Sequence, residues 1–275
     1  MIRYFVLILL FMTSFNNGFG QQNTPKVSKD LKILSWNIYM LPYLSLFNGN
    51  ASRAHVISEQ LLNSDYQIVV FQEAFSTKIR RIIKKQLAQR FPFQYGPMNK
   101  NYTPFRTNSG LMIVSKIPLK IIDQIQFGKL RGFDAVARKG AVLLEGEYAD
   151  AKFQLITTHL QADNENSIRE MQCMEIKRKL LDPYFDHNKT QLICGDFNVD
   201  MNDTASYHYM LHTLEADNGN MMGDVHVTYD EVNNNLARNK NRELKVLDYV
   251  LTRNTHLIDK IERRVEKFLS NVNGK

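Results

Sequence analysis

Five apolar runs in this 275-residue chain each finish in a side chain able to do chemistry. KILSWN ends in Asn37, IVVFQE in Gln72-Glu73, and FQLITTH in His159. QLIC leads into GDFN, with Asp196 and Asn198, and Asp248 lies in VLDYV. Carboxylate and amide oxygens are hard ligands that suit Mg²⁺, which keeps several waters and binds phosphate oxygens. Glu73 and Asn37 are therefore the expected metal pair, with other divalent cations as substitutes. An imidazole beside a metal-bound phosphate can donate to the charge that develops on a pentacovalent phosphorus, the role expected of His159. Asp196 and Asn198, two apart on a turn, can address one reacting centre, the acid orienting water and the amide binding a phosphoryl oxygen. The set fits metal-assisted in-line phosphoryl transfer. HExxH and paired cysteines, the marks of a zinc site, are absent, as are a P-loop and a serine or cysteine nucleophile beside a base.

Such groups need rigid elements to hold them. Strands are predicted at Lys32–Asn37, Gln67–Gln72, Leu111–Ser115, Ala141–Glu147, Phe153–His159, Gln191–Cys194 and Leu247–Thr252. Helical spacing marks Ile79, Ile82, Ile83 and Leu87; then Ile168, Met171, Met174 and Leu181, stopped by Asp182-Pro183; then Tyr207, Met210, Leu211 and Leu214. Strands that finish in carboxylate, amide or imidazole imply one rim where those groups converge on a preorganised site. No Pro/Gly/Ser-rich linker divides the chain, which predicts one domain, and the Asn-rich, charged segment Asn218–Arg242 reads as a long surface loop.

The N-terminus reads as an address. Arg3 precedes the apolar run Phe5–Met12, and Gly18-Phe19-Gly20 supplies small residues for cleavage before Gln21. That order predicts a signal peptide over residues 1–20, left out of the fold, and a secreted or periplasmic protein over 21–275. The run is too short to span a bilayer. Loss of Arg3 takes the formal charge from +7 to +6, which suits anionic partners without choosing among them. The clusters Arg80-Arg81 with Lys84-Lys85, and Arg263-Arg264, are expected on solvated faces. With only two cysteines a disulfide scaffold is excluded; Cys173 and Cys194 could pair after export, but Cys194 sits in the apolar run QLIC, which favours two buried thiols over a bridge.

In order, WN, QE, SG, TH, GDFN and LDY resemble the endonuclease/exonuclease/phosphatase superfamily from about Leu31 to Thr252. NIYMLP (Asn37–Pro42), FQEAF (Phe71–Phe75), NSGLMIVSKIPL (Asn108–Leu119), THLQA (Thr158–Ala162) and ICGDFN (Ile193–Asn198) are similar to neutral sphingomyelinases in particular. The resemblance implies an α/β fold, a β-sandwich of two facing sheets flanked by helices on both sides, with the site at one end. It implies Glu73 as the main Mg²⁺ ligand with Asn37 close by, and His159, Asp196 and Asn198 on the phosphoryl group. Asp134 and Lys139 match an Asp and Lys five apart that support the site, and Phe75 matches a position near the substrate headgroup. The implied reaction is hydrolysis of sphingomyelin to ceramide and phosphocholine at a membrane surface.

One departure bears on the mechanism. The family pattern closes on a Ser-Asp-His-x-Pro-like motif whose histidine is the general base, with Asp248 implied to orient it. No such motif follows Asp248, and His256 in RNTHLID comes too soon after LDY. The resemblance thus predicts either a fragment that would lack its last strand or a divergent member with altered activity. Two rivals stand beside the sphingomyelinase reading. A secreted nuclease would suit the positive charge, but nucleic acid is the weaker partner because apolar and aromatic residues flank the ligands. A non-catalytic lipid-binding module would suit the missing histidine, but has no need of all five strand-end groups.

Overall fold

The computed structural model describes residues 3–11 (as backbone), 30–41, 49–99, 106–162, 165–234, 236–237, 241–258 and 260–268. The expected cleavage point at Gly20, and Pro42 of NIYMLP, lie outside them. In chain order the elements are β1 (Arg3–Phe11), β2 (Asp30–Asn37), α1 (Asn50–Leu62), β3 (Ile68–Gln72), α2 (Thr77–Leu87), β4 (Phe93–Tyr95), β5 (Met112–Ser115) and β6 (Leu119–Gln126). There follow β7 (Gly140–Tyr148), β8 (Ala151–His159), α3 (Asn166–Ile176), β9 (Thr190–Asp196), α4 (Thr204–Leu214) and β10 (Met221–Met222). The chain ends through β11 (Tyr229–Asp230), β12 (Leu244–Lys245), β13 (Asp248–Arg253) and β14 (Lys260–Phe268). All seven predicted strands form, with ends shifted by no more than two residues.

Two sheets face each other. One runs β10-β14-β1-β2-β3-β5-β4 and the other β13-β9-β8-β7-β6, with β11 and β12 paired apart. Side-chain alternation sorts the residues. Leu31, Ile33, Ile68, Val70 and Ile113 meet Val142, Leu144, Leu155, Leu192 and Val250 between the sheets. Leu34, Trp36, Val69 and Phe71 turn outward under Ala54, Ile57 and Leu61 of α1 and Ile79, Ile83 and Leu87 of α2. On the other side Leu143, Ile156, Ile193 and Leu251 pack beneath Cys173 and Ile176 of α3 and Met210 and Leu214 of α4. This is the helix-flanked sandwich that the resemblance implies. Both cysteines are free and buried; Cys194 lies between the sheets and Cys173 on the inner face of α3, so the second sheet separates them.

Three differences from the sequence reading have physical causes. α1, β6 and β14 escape pattern reading because NASRAHVISEQLL, LKIIDQIQ and KIERRVEKF carry polar residues on much of each element. The segment Asn218–Arg242 is more than a surface loop, since it carries β10 and β11 and buries Asp230, Glu231 and Asn234. β1, whose residues the sequence reading leaves out of the fold, pairs antiparallel with both β2 and β14, Val6 standing opposite Ser35 and Val265.

Candidate active site

Register explains why the strand ends converge. β2 and β3 are parallel with Asn37 beside Gln72, so Glu73 follows at the same end. β8 and β9 are parallel with His159 beside Asp196, while antiparallel β13 sets Asp248 on the other side of Asp196. Alternation turns Asn37, His159, Asp196 and Asp248 toward the space between the sheets, as it does Ile33, Leu155, Cys194 and Val250, two or four positions away on the same strands.

Oxygen and nitrogen ligand atoms of Glu73, His159 and Asp196 lie within 4.8 Å of one another. Asn37 Nδ2 donates to Glu73 Oε1 at 2.7 Å and to Asp196 Oδ2 at 2.8 Å, while its Oδ1 accepts from Tyr39 N at 3.1 Å. The expected metal pair is thus brought together, but with the amide nitrogen, not the oxygen, toward the carboxylate. His159 Nε2 stands 3.8 Å from Asp196 Oδ2, which adds the imidazole to the cluster rather than leaving it to the phosphoryl group alone. Burial, with the Lys139 charge beside it, holds His159 well below the ordinary histidine range, so the ring is neutral near pH 7.

Lys139 is the hub of the neighbouring groups. Its ammonium donates to Asp134 Oδ2 and to Leu160 O, each at 2.8 Å, and lies 3.0 Å from His159 Nε2. Asp134 Oδ2 also accepts from Ala162 N at 2.6 Å, tying this pair to the loop after β8. Asn198 sends Nδ2 to the same Leu160 carbonyl at 3.1 Å, and its N–H returns to Asp196 Oδ1 at 3.0 Å. Phe75 is buried against the loop of Gly110, where an added Cβ would meet its ring at 2.9 Å and Glu73 Cα at 3.2 Å. His256 lies beyond Arg253, at the opposite end of β13 from Asp248, and takes no part in the site.

Sequence reasoning missed the residues that fix these loops. Tyr39, Glu73 and Asn198 adopt φ of 48°, 55° and 51°, a region that costs about 1–3 kcal/mol outside glycine and persists only where neighbours over-determine it. Buried arginines supply much of that determination. Arg53 of α1 donates to the carbonyls of Ile38 and Tyr39. Arg80 of α2 donates to Ala74 O and Phe75 O, both at 2.6 Å, and Arg169 of α3 to Gln161 O at 3.2 Å. Arg80 is therefore not on the solvated face expected of its cluster. Arg263 is buried too, with donors on Asn218 and Gly219. A signal was present: Arg53 falls in step with Ile57 and Leu61, and Arg80 with Ile83 and Leu87, on the faces that pack inward.

Known proteins resemble this chain in sequence and in fold. The chain is 30% identical over 266 residues to Sphingomyelinase C 2 of Leptospira interrogans serogroup Icterohaemorrhagiae serovar Lai (strain 56601), covering 88% of this chain and 42% of that protein. It therefore spans less than half the length of that relative. Phospholipase C of Staphylococcus aureus is 26% identical over 90% of this chain and 81% of its own. Beta toxin of Staphylococcus aureus, in a mutant crystallised with bound magnesium ions, superposes with a TM-score of 0.73 at 26% identity, over 81% of this chain and 83% of that one. A sequence profile of the Endonuclease/Exonuclease/phosphatase family matches residues 34–266, a span that contains every side chain of the cluster around Asn37, and the chain belongs to that family.

Proposed function

We propose that this chain carries the catalytic domain of a secreted, Mg²⁺-dependent phosphodiesterase that hydrolyses sphingomyelin to ceramide and phosphocholine. The observation that carries the reading is the meeting of Glu73, His159 and Asp196 at one end of the sandwich, around the Asn37 amide. Two carboxylates and an imidazole in mutual reach are a donor set for a divalent cation, and Glu73, Asp196 and Asn37 would hold it. When bound, the cation supplies Lewis-acid stabilisation of phosphoryl charge. Asp196 orients the attacking water, and neutral His159 donates to a phosphoryl oxygen. Asn198 steadies the turn from which it reaches the same group. Lys139 and Asp134 hold His159 and the Leu160 carbonyl in place, and buried Asp248 supports Asp196 from the adjoining strand. Phe75 borders the headgroup. The water oxygen bonds to phosphorus, the bond from phosphorus to the ceramide oxygen breaks, and ceramide leaves with the proton that water contributes.

The sphingomyelinase names of the relatives favour this substrate over nucleic acid. Among the described residues no helix is long and apolar enough to cross a membrane. Arg3, the run Phe5–Met12 and Gly18–Gly20 support export with cleavage near Gly20. The test is phosphocholine release from sphingomyelin vesicles in Mg²⁺ and in EDTA, beside nicking of plasmid DNA. Release that EDTA abolishes, without nicking, is expected. Nicking without release would replace the reading with the nuclease, and silence in both would leave a binding module.

A further inference from the structure

We infer that the turn Gly132–Val136 is a membrane-docking wedge that seats the site on a phospholipid surface. Phe133 is 93% exposed, far more than any other large apolar side chain among the described residues, and Val136 is 53% exposed. They sit on a 3₁₀ turn, where positions three apart eclipse, so the phenyl ring and the valine methyls face the same way. An aromatic held in water on an ordered turn is a binding feature rather than a packing one.

The turn is anchored on both sides. Arg131 N donates to Gln161 Oε1 at 3.0 Å and Gln172 Nε2 to Lys129 O at 3.2 Å. Thr107 N donates to Val136 O at 2.8 Å, and Ala137 N to Asp134 O at 2.9 Å. A wedge already fixed in its backbone loses little conformational freedom on docking. Charge complements the apolar tip: Arg106 and Lys129 are exposed around it, placed to meet lipid phosphates while Phe133 enters the acyl boundary, and exposed Arg131 pairs with Glu165 Oε1 at 3.2 Å. The next residue, Asp134, bonds Lys139, which touches His159, so the wedge stands one residue from the phosphoryl site. A single aromatic within a basic ring matches a lipid interface better than a protein partner, which would need a broader apolar face.

The substrate side of this inference rests on the proposed phosphodiesterase, whereas docking can be read without turnover. Binding of the full chain to sphingomyelin–phosphatidylcholine vesicles is measured by co-sedimentation in EDTA. Phe133→Ala should weaken it about 10- to 100-fold, the scale of losing one buried aromatic, and Val136→Ser by less. The ratio of vesicle turnover to turnover of a water-soluble phosphocholine diester should fall by a similar factor. Phe133→Trp gives a direct reading, because the native Trp36 is buried in a stack on Phe268 with ring centroids 4.8 Å apart. Its emission should shift to the blue on vesicles. Unchanged sedimentation of the alanine variant, absence of the blue shift, or a change in self-association instead would overturn the wedge. Hydrolysis of neither substrate would overturn the phosphodiesterase and leave the sedimentation result to decide docking.

Discussion

Asn37 Nδ2 donates to Asp196 Oδ2 at 2.8 Å across 159 positions of sequence, joining the two sheets at their shared rim. The same nitrogen reaches Glu73, so one neutral amide separates two carboxylates that would otherwise face each other. Asn37→Ala removes that donor. We expect the metal-free protein to lose about 1–3 kcal/mol, the cost of stranding hydrogen-bonded buried groups. For a chain of this size that is about 2–4 °C of Tm per kcal/mol. Added Mg²⁺ should raise the variant's Tm less than that of the wild type, because Asn37 is one of the groups that would hold the ion. Equal Mg²⁺ shifts in thermal melts would argue against a cation between these carboxylates.

Glu73 and His159 test the chemistry directly. Glu73→Ala and His159→Ala should each lower phosphocholine release by about 10² or more, the scale on which removing groups that hold or assist a reacting centre acts. Wild-type turnover in either variant would sink the site assignment. Calorimetric Mg²⁺ titration separates them, since Glu73→Ala should lose the binding isotherm more completely.

Arg80 is a positioning residue. Arg80→Ala takes a donor from Ala74 O and from Phe75 O, which keeps Asn108 Nδ2 at 3.3 Å, and about 2–4 kcal/mol of stability should go with it. The Mg²⁺ concentration for half-maximal turnover should rise as well, because Glu73 is the residue immediately before. Arg80→Lys, with a point charge in place of a fork, should recover part of both. A stability loss with unaltered Mg²⁺ dependence would reduce Arg80 to packing alone.

The leader and the strand make opposite demands on residues 3–11. Among the described residues β14 pairs with β1 along its length and otherwise only through Met221 and Met222 of β10. If the exported protein begins at Gln21, β14 should exchange its amide hydrogens much faster in residues 21–275 than in the full chain. Mass-spectrometric exchange of the Lys260–Phe268 peptide checks this. Equal protection in the two proteins would show that β1 contributes nothing to the sheet.

The thiols offer a probe of the core. Burial pushes Cys173 and Cys194 up to about 12, so at pH 8 the thiolate is about one part in ten thousand of each. Ellman's reagent should find no reactive thiol in the native protein and two in denaturant. Prompt labelling of either without denaturant would contradict the packing of α3 or of the inter-sheet core.

The convergence of the candidate site residues was legible in the sequence because a strand announces its own end: apolar residues run until the chain leaves the core, and Asn37, Glu73, His159 and Asp196 stand there. Asp134 and Lys139 were legible only by resemblance, since nothing in GFDAVARKG predicts a bond to His159. The arginines were illegible for another reason. Arg53, Arg80 and Arg169 bond to backbone carbonyls, which carry no residue identity, so no complementary letter elsewhere in the chain betrays them. α1 and β14 were missed because each presents polar residues on its free face and only a thin apolar row beneath.

Those carbonyl bonds also set how the protein should respond to ionic strength. Salt screens exposed charges beyond about 10 Å at 0.1 M and loosens surface ion pairs such as Arg131–Glu165. Arg53 and Arg80 are buried and hold backbone dipoles, so they are largely sheltered from that screening. High salt should therefore strip the basic rim from a lipid surface while leaving the loops after Asn37 and Glu73 where they are. Adsorption and architecture, in this protein, answer to different solvents.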